Sequence, residues 1–181
     1  AVLAVFPELG LSGYSCEDLF HQRALVDASL EALRTVRDAT RNLDVMAVVG
    51  LPLQLDGLLY NCCAVVARGR IWGVTPKTYL PNYLEFYGMR HFTPGDYAPF
   101  SAIGLLDERD VPFGSRLLFT IAEQRQFKLH IEVCEDLWTP IPPSSYASLA
   151  GATVLVNPSG SPVTIGKDAY RRQLVTNQSG R

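Results

Sequence analysis

VMAVVGLPL (residues 45–53) and YNCCAVVARGRIWGVTPK (residues 60–77) decide the fold. The first is almost continuously apolar, the pattern of a strand covered on both faces. The second reads as a hairpin: a strand over 60–67, a turn around Arg68-Gly69-Arg70, and a strand over 71–75. Upstream, AVLAVF (1–6) reads as a buried strand running into the Gly/Pro-punctuated turn FPELGLSGY. From Asp18 to about Arg41, Leu19, Leu25, Val26, Leu30, Leu33 and Val36 recur at helical spacing, with Asp18 a candidate N-cap. Downstream, residues 76–99 are rich in proline and aromatic side chains without a period, as functional loops often are. The stretch to about residue 114 carries no clear pattern. Strands follow over 116–121 and 127–133, a short helix over 144–151, a buried strand over 152–157 and a helix over 166–177. Strands and helices mostly alternate around an antiparallel hairpin, so the expected class is α/β with a mixed sheet.

The 181 residues correspond to roughly one domain, with 16 Lys+Arg against 18 Asp+Glu and a formal charge of −2. That balance argues against a nucleic-acid footprint, which needs clustered Lys and Arg. The apolar runs fall far short of the ~20 residues that span a bilayer. Cys16, Cys62, Cys63 and Cys134 include no CxxC pair, so neither a zinc knuckle nor a disulfide scaffold is supported. Sparse cysteine and no signal peptide lead us to expect a cytoplasmic setting. The chain opens inside an apolar run and stops at NQSGR just after a helical pattern, so a fragment of something longer is expected.

Two cysteines precede Glu-Asp, Cys16 in YSCEDLF and Cys134 in EVCEDLW, and only context separates them. Cys134 ends the alternation Leu129, Ile131, Val133, where a strand fixes the Cα and a turn exposes the side chain. Cys16 sits in a turn before a helix; Cys62 and Cys63 read as small buried hydrophobes. A nucleophilic thiol needs a base and an oxyanion partner. His21 falls on the expected helix and His130 in a strand, leaving His91 as the loop candidate for a Cys–His pair. Failing His, the next choice is a carboxylate shielded from water, and Glu8 follows Phe6-Pro7 at the end of strand 1–6. Lys77, one of three lysines, ends strand 71–75 and could stabilise both thiolate and oxyanion. Each has a plainer reading as a solvated turn residue. If their strands are neighbours with aligned ends, Glu8, Lys77 and Cys134 converge.

These blocks, FPELGLSGY, TPKTYLPNYLEFYGMRHF and IEVCEDLW, resemble the Glu, Lys and Cys blocks of the nitrilase (carbon–nitrogen hydrolase) superfamily. PNYLEFYGMRHF and NPSGSPVTIGKDAYRR further resemble the glutaminase domains of glutamine-dependent NAD(+) synthetases. The resemblance implies a four-layer α-β-β-α sandwich with mixed sheets, incomplete at both ends. It implies Cys134 as nucleophile toward the side-chain amide of L-glutamine, and Glu8 as base and proton donor to ammonia. Lys77 and the backbone N–H after Cys134 would hold the oxyanion, with Glu85 orienting the lysine and the base. Tyr83, Ser161 and Lys167 fall at the family's glutamine contacts, although Tyr83 reads equally as a packing aromatic and Ser159-Gly160-Ser161 as an ordinary turn. Lys167 supplies a point charge where an Arg would offer a fork. No metal or cofactor is implied within residues 1–181; ATP, Mg and deamido-NAD are implied for a covalently linked synthetase domain outside this sequence. A homo-oligomer is expected, no membrane and no nucleic acid. A free-standing amidase for another small amide, or a catalytically dead relative, are the competing readings.

Overall fold

The computed structural model describes residues 2–180. Strand β1 (Leu3–Val5) pairs in parallel with β2 (Met46–Leu55), and β2, β3 (Leu58–Ala67) and β4 (Arg70–Pro76) continue the sheet antiparallel. Two tight turns make this meander. Asp56-Gly57 and Arg68-Gly69 all have positive φ, and the pairs Leu55–Leu58 and Ala67–Arg70 face each other directly across them. Such turns match the twist of antiparallel strands. A second hairpin joins β5 (Ala102–Leu105) to β6 (Glu108–Pro112). The third sheet pairs β7 (Phe119–Ile121) antiparallel with β8 (Gln124–Ile131), and β8 in parallel with β9 (Val154–Val156). Among the described residues no helix is long and apolar enough to cross a membrane.

Alternation along β2 and β3 sends side chains into two cores. On one face, Val49, Leu51, Leu53, Tyr60, Cys62, Ala64 and Val66 meet Leu33 of α1 (Arg23–Ala39) and the β5–β6 hairpin. On the other, Val48, Cys63 and Val65 meet Phe119, Leu129 and Ile131 of the third sheet and Val133 just beyond it. Helix α3 (Pro143–Leu149) covers the far side of β8, with Glu132 Oε2 accepting the Ser144 N–H at 3.0 Å. The layers are therefore α-β-β-α, as the resemblance implied. Arg37, on the buried face of α1, fastens the helix to the β5–β6 hairpin through Asp107 and Glu108. Glu108 in turn accepts the Ile71 N–H of β4.

Several expected bounds change. The helix expected from Asp18 is a 3-10 turn over Glu17–His21, an extended Gln22, and then α1. Phe20 leaves the helical stripe to pack with Leu9, Val26, Leu59 and Phe92, and that breaks the period. Asp18 caps nothing; it pairs with Arg90. The β5–β6 hairpin, in the stretch without a pattern, buries only Ile103, Leu105 and Val111 from its strands, too few to show alternation. The expected 76–99 loop contains α2 (Gly88–His91) and a 3-10 turn over Gly95–Tyr97. Helix α4 (Lys167–Ser179) follows β9.

Candidate active site

Glu8 lies just beyond β1, where the chain continues along the sheet (Phe6 N to Val48 O, 2.9 Å) and then turns over Gly50. Gly50 is required there, because a Cβ would lie 2.4 Å from Leu9 N and 2.7 Å from Pro7 O. Leu9 itself adopts φ +52 to make the turn. The Glu8 side chain is wholly buried, and both oxygens are occupied. Oε1 accepts Asn61 Nδ2 at 2.8 Å and Lys77 Nζ at 2.6 Å; Oε2 accepts the Gly160 N–H at 3.0 Å.

Lys77 leaves β4 with its N–H on Asn61 O at 2.8 Å, and is 2% exposed. Burial pulls its pKa down, but the Glu8 carboxylate, through its charge and its hydrogen bond, outweighs that and holds it above the ordinary lysine value, with Asp136 adding to the rise and Cys134 doing so only when ionised. The ammonium therefore stays charged inside the protein.

Cys134 stands where β8 has ended and a 3-10 turn (Cys134–Trp138) begins, with φ +46, a conformation rare outside glycine. Its N–H donates to Pro158 O at 3.0 Å, and Ser159 Oγ donates to its Sγ at 3.1 Å. The thiol pKa is pushed up to about 11, first by burial and then by the Glu8 charge; Lys77, Ser159 and the Gly160 N–H oppose the rise. In the resting site the thiol thus keeps its proton beside a charged carboxylate–ammonium pair.

Of the two Cys-Glu-Asp tripeptides, only that of Cys134 joins Glu8 and Lys77. Cys16 Sγ faces the Ser12 and Gly13 carbonyls, and Cys62 and Cys63 are fully buried on opposite faces of β3. No Cys–His pair forms among the described residues: His91 Nδ1 lies 3.2 Å from His21 Nε2. A cavity of about 520 Å³ opens onto Lys77, Asn61 and Gly160, the three donors to Glu8, and is walled further by Tyr14, Phe86 and Ser161. That volume suits a small metabolite.

Tyr83 and Lys167 both stand beside Phe86, which walls the cavity. Tyr83 Oη donates to Glu135, 3.0 and 2.9 Å from its two oxygens. Its pKa is pushed up to about 12, by burial and by that hydrogen bond. Lys167 Nζ sits 5.5 Å from the ring centres of both Phe86 and Trp138. Glu85 lines the cavity but is exposed, and no hydrogen bond or ion pair joins it to Lys77 or Glu8; Asn61 and Gly160 hold the base instead.

Sequence reasoning missed Asn61, Glu135 and Asp136. Asp136, 1% exposed, accepts the N–H groups of Val133 (2.8 Å), Thr78 (3.1 Å) and Tyr79 (2.7 Å). One carboxylate thus ties the turn holding Cys134 to the segment after Lys77. Burial pushes its pKa up to about 7, against those three N–H groups and Lys77. The available signal was the Asp of the second Cys-Glu-Asp, which stands at a strand end rather than before a helix.

The profile of the carbon–nitrogen hydrolase family matches residues 1–179. The chain is 48% identical over its full length to the glutamine-dependent NAD(+) synthetase of Mycobacterium tuberculosis (strain ATCC 25618 / H37Rv), of which it covers 26%. A crystal structure of a glutamine-dependent NAD(+) synthetase from Cytophaga hutchinsonii superposes with a TM-score of 0.82 at 28% identity, over 97% of this chain and 27% of that one. A mutant amidase of the nitrilase superfamily from Nesterenkonia shares the fold, with a TM-score of 0.71 at 18% identity over 98% of this chain and 58% of that one. The chain spans about a quarter of the length of the curated relatives it matches.

Proposed function

The chain belongs to the carbon–nitrogen hydrolase family, and from that premise we propose that it is the glutamine-hydrolysing part of a glutamine-dependent NAD(+) synthetase. The observation that carries the reading is the convergence of Glu8, Lys77 and Cys134; Cys16 and Cys62 lie apart from the pair, and Cys63, which also feels its charges, is sealed within the apolar core. Likeness to synthetases over the whole of this chain supports the choice of substrate.

Cys134 Sγ attacks the side-chain amide carbon of glutamine while Glu8 takes the thiol proton. A thiol with a pKa near 11 requires such a base at neutral pH. The carbonyl π electrons move to oxygen, and the oxyanion is held by Lys77 and the backbone N–H that follows Cys134. Removing one donor of that kind typically costs about 10²–10³ in rate. Glu8 then passes its proton to the departing nitrogen, the C–N bond breaks, and ammonia leaves a γ-glutamyl thioester on Cys134. A water molecule, deprotonated by Glu8, attacks the thioester, and the returning proton restores the thiol as glutamate departs.

Substrate orientation needs both signs of charge. The Tyr83–Glu135 pair offers a hydroxyl and a carboxylate for the α-ammonium, and Lys167 offers a cation for the α-carboxylate. Ser161 contributes a hydroxyl to the same wall. The ammonia would amidate deamido-NAD in a covalently linked synthetase domain, where ATP and magnesium would also bind.

The test uses the full-length parent protein with glutamine, ATP and deamido-NAD, following glutamate and NAD together. The wild type should form both, and Cys134→Ala should form NAD only from added ammonia. Retained glutamine turnover in that variant would sink the assignment. Hydrolysis of other amides through Cys134 without NAD formation would make the protein a free-standing amidase.

A further inference from the structure

We propose that Asp18, His21 and His91 form a binding site for a zinc-class divalent cation on the rim of the cavity. Asp18 and His21 lie three residues apart in the 3-10 turn over Glu17–His21, and therefore on one side of it. His91 closes α2 and faces them, and the ligand atoms of all three residues lie within 4.8 Å of one another. His91 Nδ1 and His21 Nε2 are 3.2 Å apart. Two imidazoles on a tetrahedral ion with Zn–N bonds of about 2.0–2.1 Å sit about 3.3 Å apart, so the pair already has the spacing of ligands. Phe20 and Phe92 flank the His91 ring at 5.8 and 6.2 Å between centroids and hold it in place.

The protons can be accounted for. One of the two facing nitrogens now donates to the other; binding requires that imidazole to move its proton to its second ring nitrogen, and no proton is released. The Asp18 carboxylate is gripped by Arg90, with Nε on Oδ1 at 3.0 Å and Nη2 on Oδ2 at 3.2 Å. That fork orients the carboxylate and leaves each oxygen a second lone pair, while the arginine charge weakens the site. Two His and one carboxylate leave a position open for water. The nitrogen ligands select against magnesium, which takes oxygen.

The site would bridge two walls. Glu17 and Phe20 from the 3-10 turn, and Gly88 and His91 from α2, all line the cavity. An ion there clips the turn to the helix across the cavity edge.

The test is calorimetric titration of ZnCl2 into the full-length protein carrying Cys134→Ala, so that the buried thiol cannot capture zinc. Adding His21→Ala with His91→Ala should remove one equivalent of bound zinc. Asp18→Asn should weaken that equivalent about tenfold or more, and Arg90→Gln should strengthen it. MgCl2 should not compete. If the double histidine variant fails to fold, His21→Gln, at an exposed position, must still weaken zinc binding about tenfold. The same number of equivalents at the same affinities in every folded variant would overturn the proposal.

Discussion

Lys77 Nζ lies 2.6 Å from Glu8 Oε1, with both side chains shut away from water. Two buried charges cost several kcal/mol each in lost hydration, and their attraction offsets this only where the remaining lone pairs are satisfied. Here Asn61 and the Gly160 N–H supply the further bonds to Glu8. The pair is thus a fixed dipole held beside a protonated thiol.

Breaking the pair from one side should be far worse than removing it. Lys77→Met is expected to lose about 3–5 kcal/mol in urea denaturation, because it strands a buried carboxylate. Lys77→Met combined with Glu8→Gln should recover most of that loss. Equal stability of the single variant and the wild type would contradict a buried charged pair.

Thiol reactivity should track the raised pKa. With the Cys134 thiol at about 11, its alkylation by iodoacetamide should rise steadily from pH 7 to pH 10 without reaching a plateau. The rise should be about tenfold per pH unit, since the thiolate is the nucleophile. Ser159→Ala removes a hydrogen bond that favours the thiolate, so its curve should move to higher pH. A plateau near neutrality would show a resting thiolate.

Asp136→Asn keeps the shape of the side chain but turns an amide N–H₂ toward one of three buried N–H donors. A loss of about 1–3 kcal/mol is expected, with lowered turnover as the Cys134 turn and the Lys77 segment come apart. The pH dependence has a definite sign. A carboxyl whose folded pKa is raised to about 7 from 3.8 contributes stability that is fully present below about pH 4 and is lost as pH rises toward 7. The advantage of wild type over Asp136→Asn should therefore shrink across that window, read from denaturation midpoints at each pH.

Gly50→Ala and Gly104→Ala make a matched pair. The first drives a methyl into the Pro7–Leu9 backbone, while nothing lies within 4 Å of a Cβ at Gly104. Gly50→Ala should cost about 1–3 kcal/mol and displace Glu8, cutting turnover. Gly104→Ala should leave turnover unchanged. Thermal melts and glutamate release measured together would separate the two.

Much of the candidate site was legible because its groups sit at strand ends. Glu8, Lys77 and Cys134 each follow an apolar run, and the alternation of Leu129, Ile131 and Val133 distinguished Cys134 from Cys16. The sheet that positions them was readable from the same runs. What stayed hidden depends on partners distant in sequence. Asn61 sits in an apolar strand, and only the folded sheet brings it to Glu8. The bonds of Asp136 to Thr78 and Tyr79 cross from one sheet to the other. Phe20 broke a helix that periodicity favoured, because its buried partners include Leu59 and Phe92. Glu85, placed by resemblance, lines the cavity with Lys77 but makes no hydrogen bond to it or to Glu8.

Glu8 and Lys77 hang from the first sheet and Cys134 from the third, with Val48, Cys63, Val65, Phe119, Leu129 and Ile131 between them. That apolar layer acts as a spacer gauge: its thickness sets the gap between the Cys134 thiol and the Glu8–Lys77 pair. On the proposed mechanism, packing quality and chemical competence are then one property, and a methylene added at Val65 would detune turnover without touching Glu8, Lys77 or Cys134.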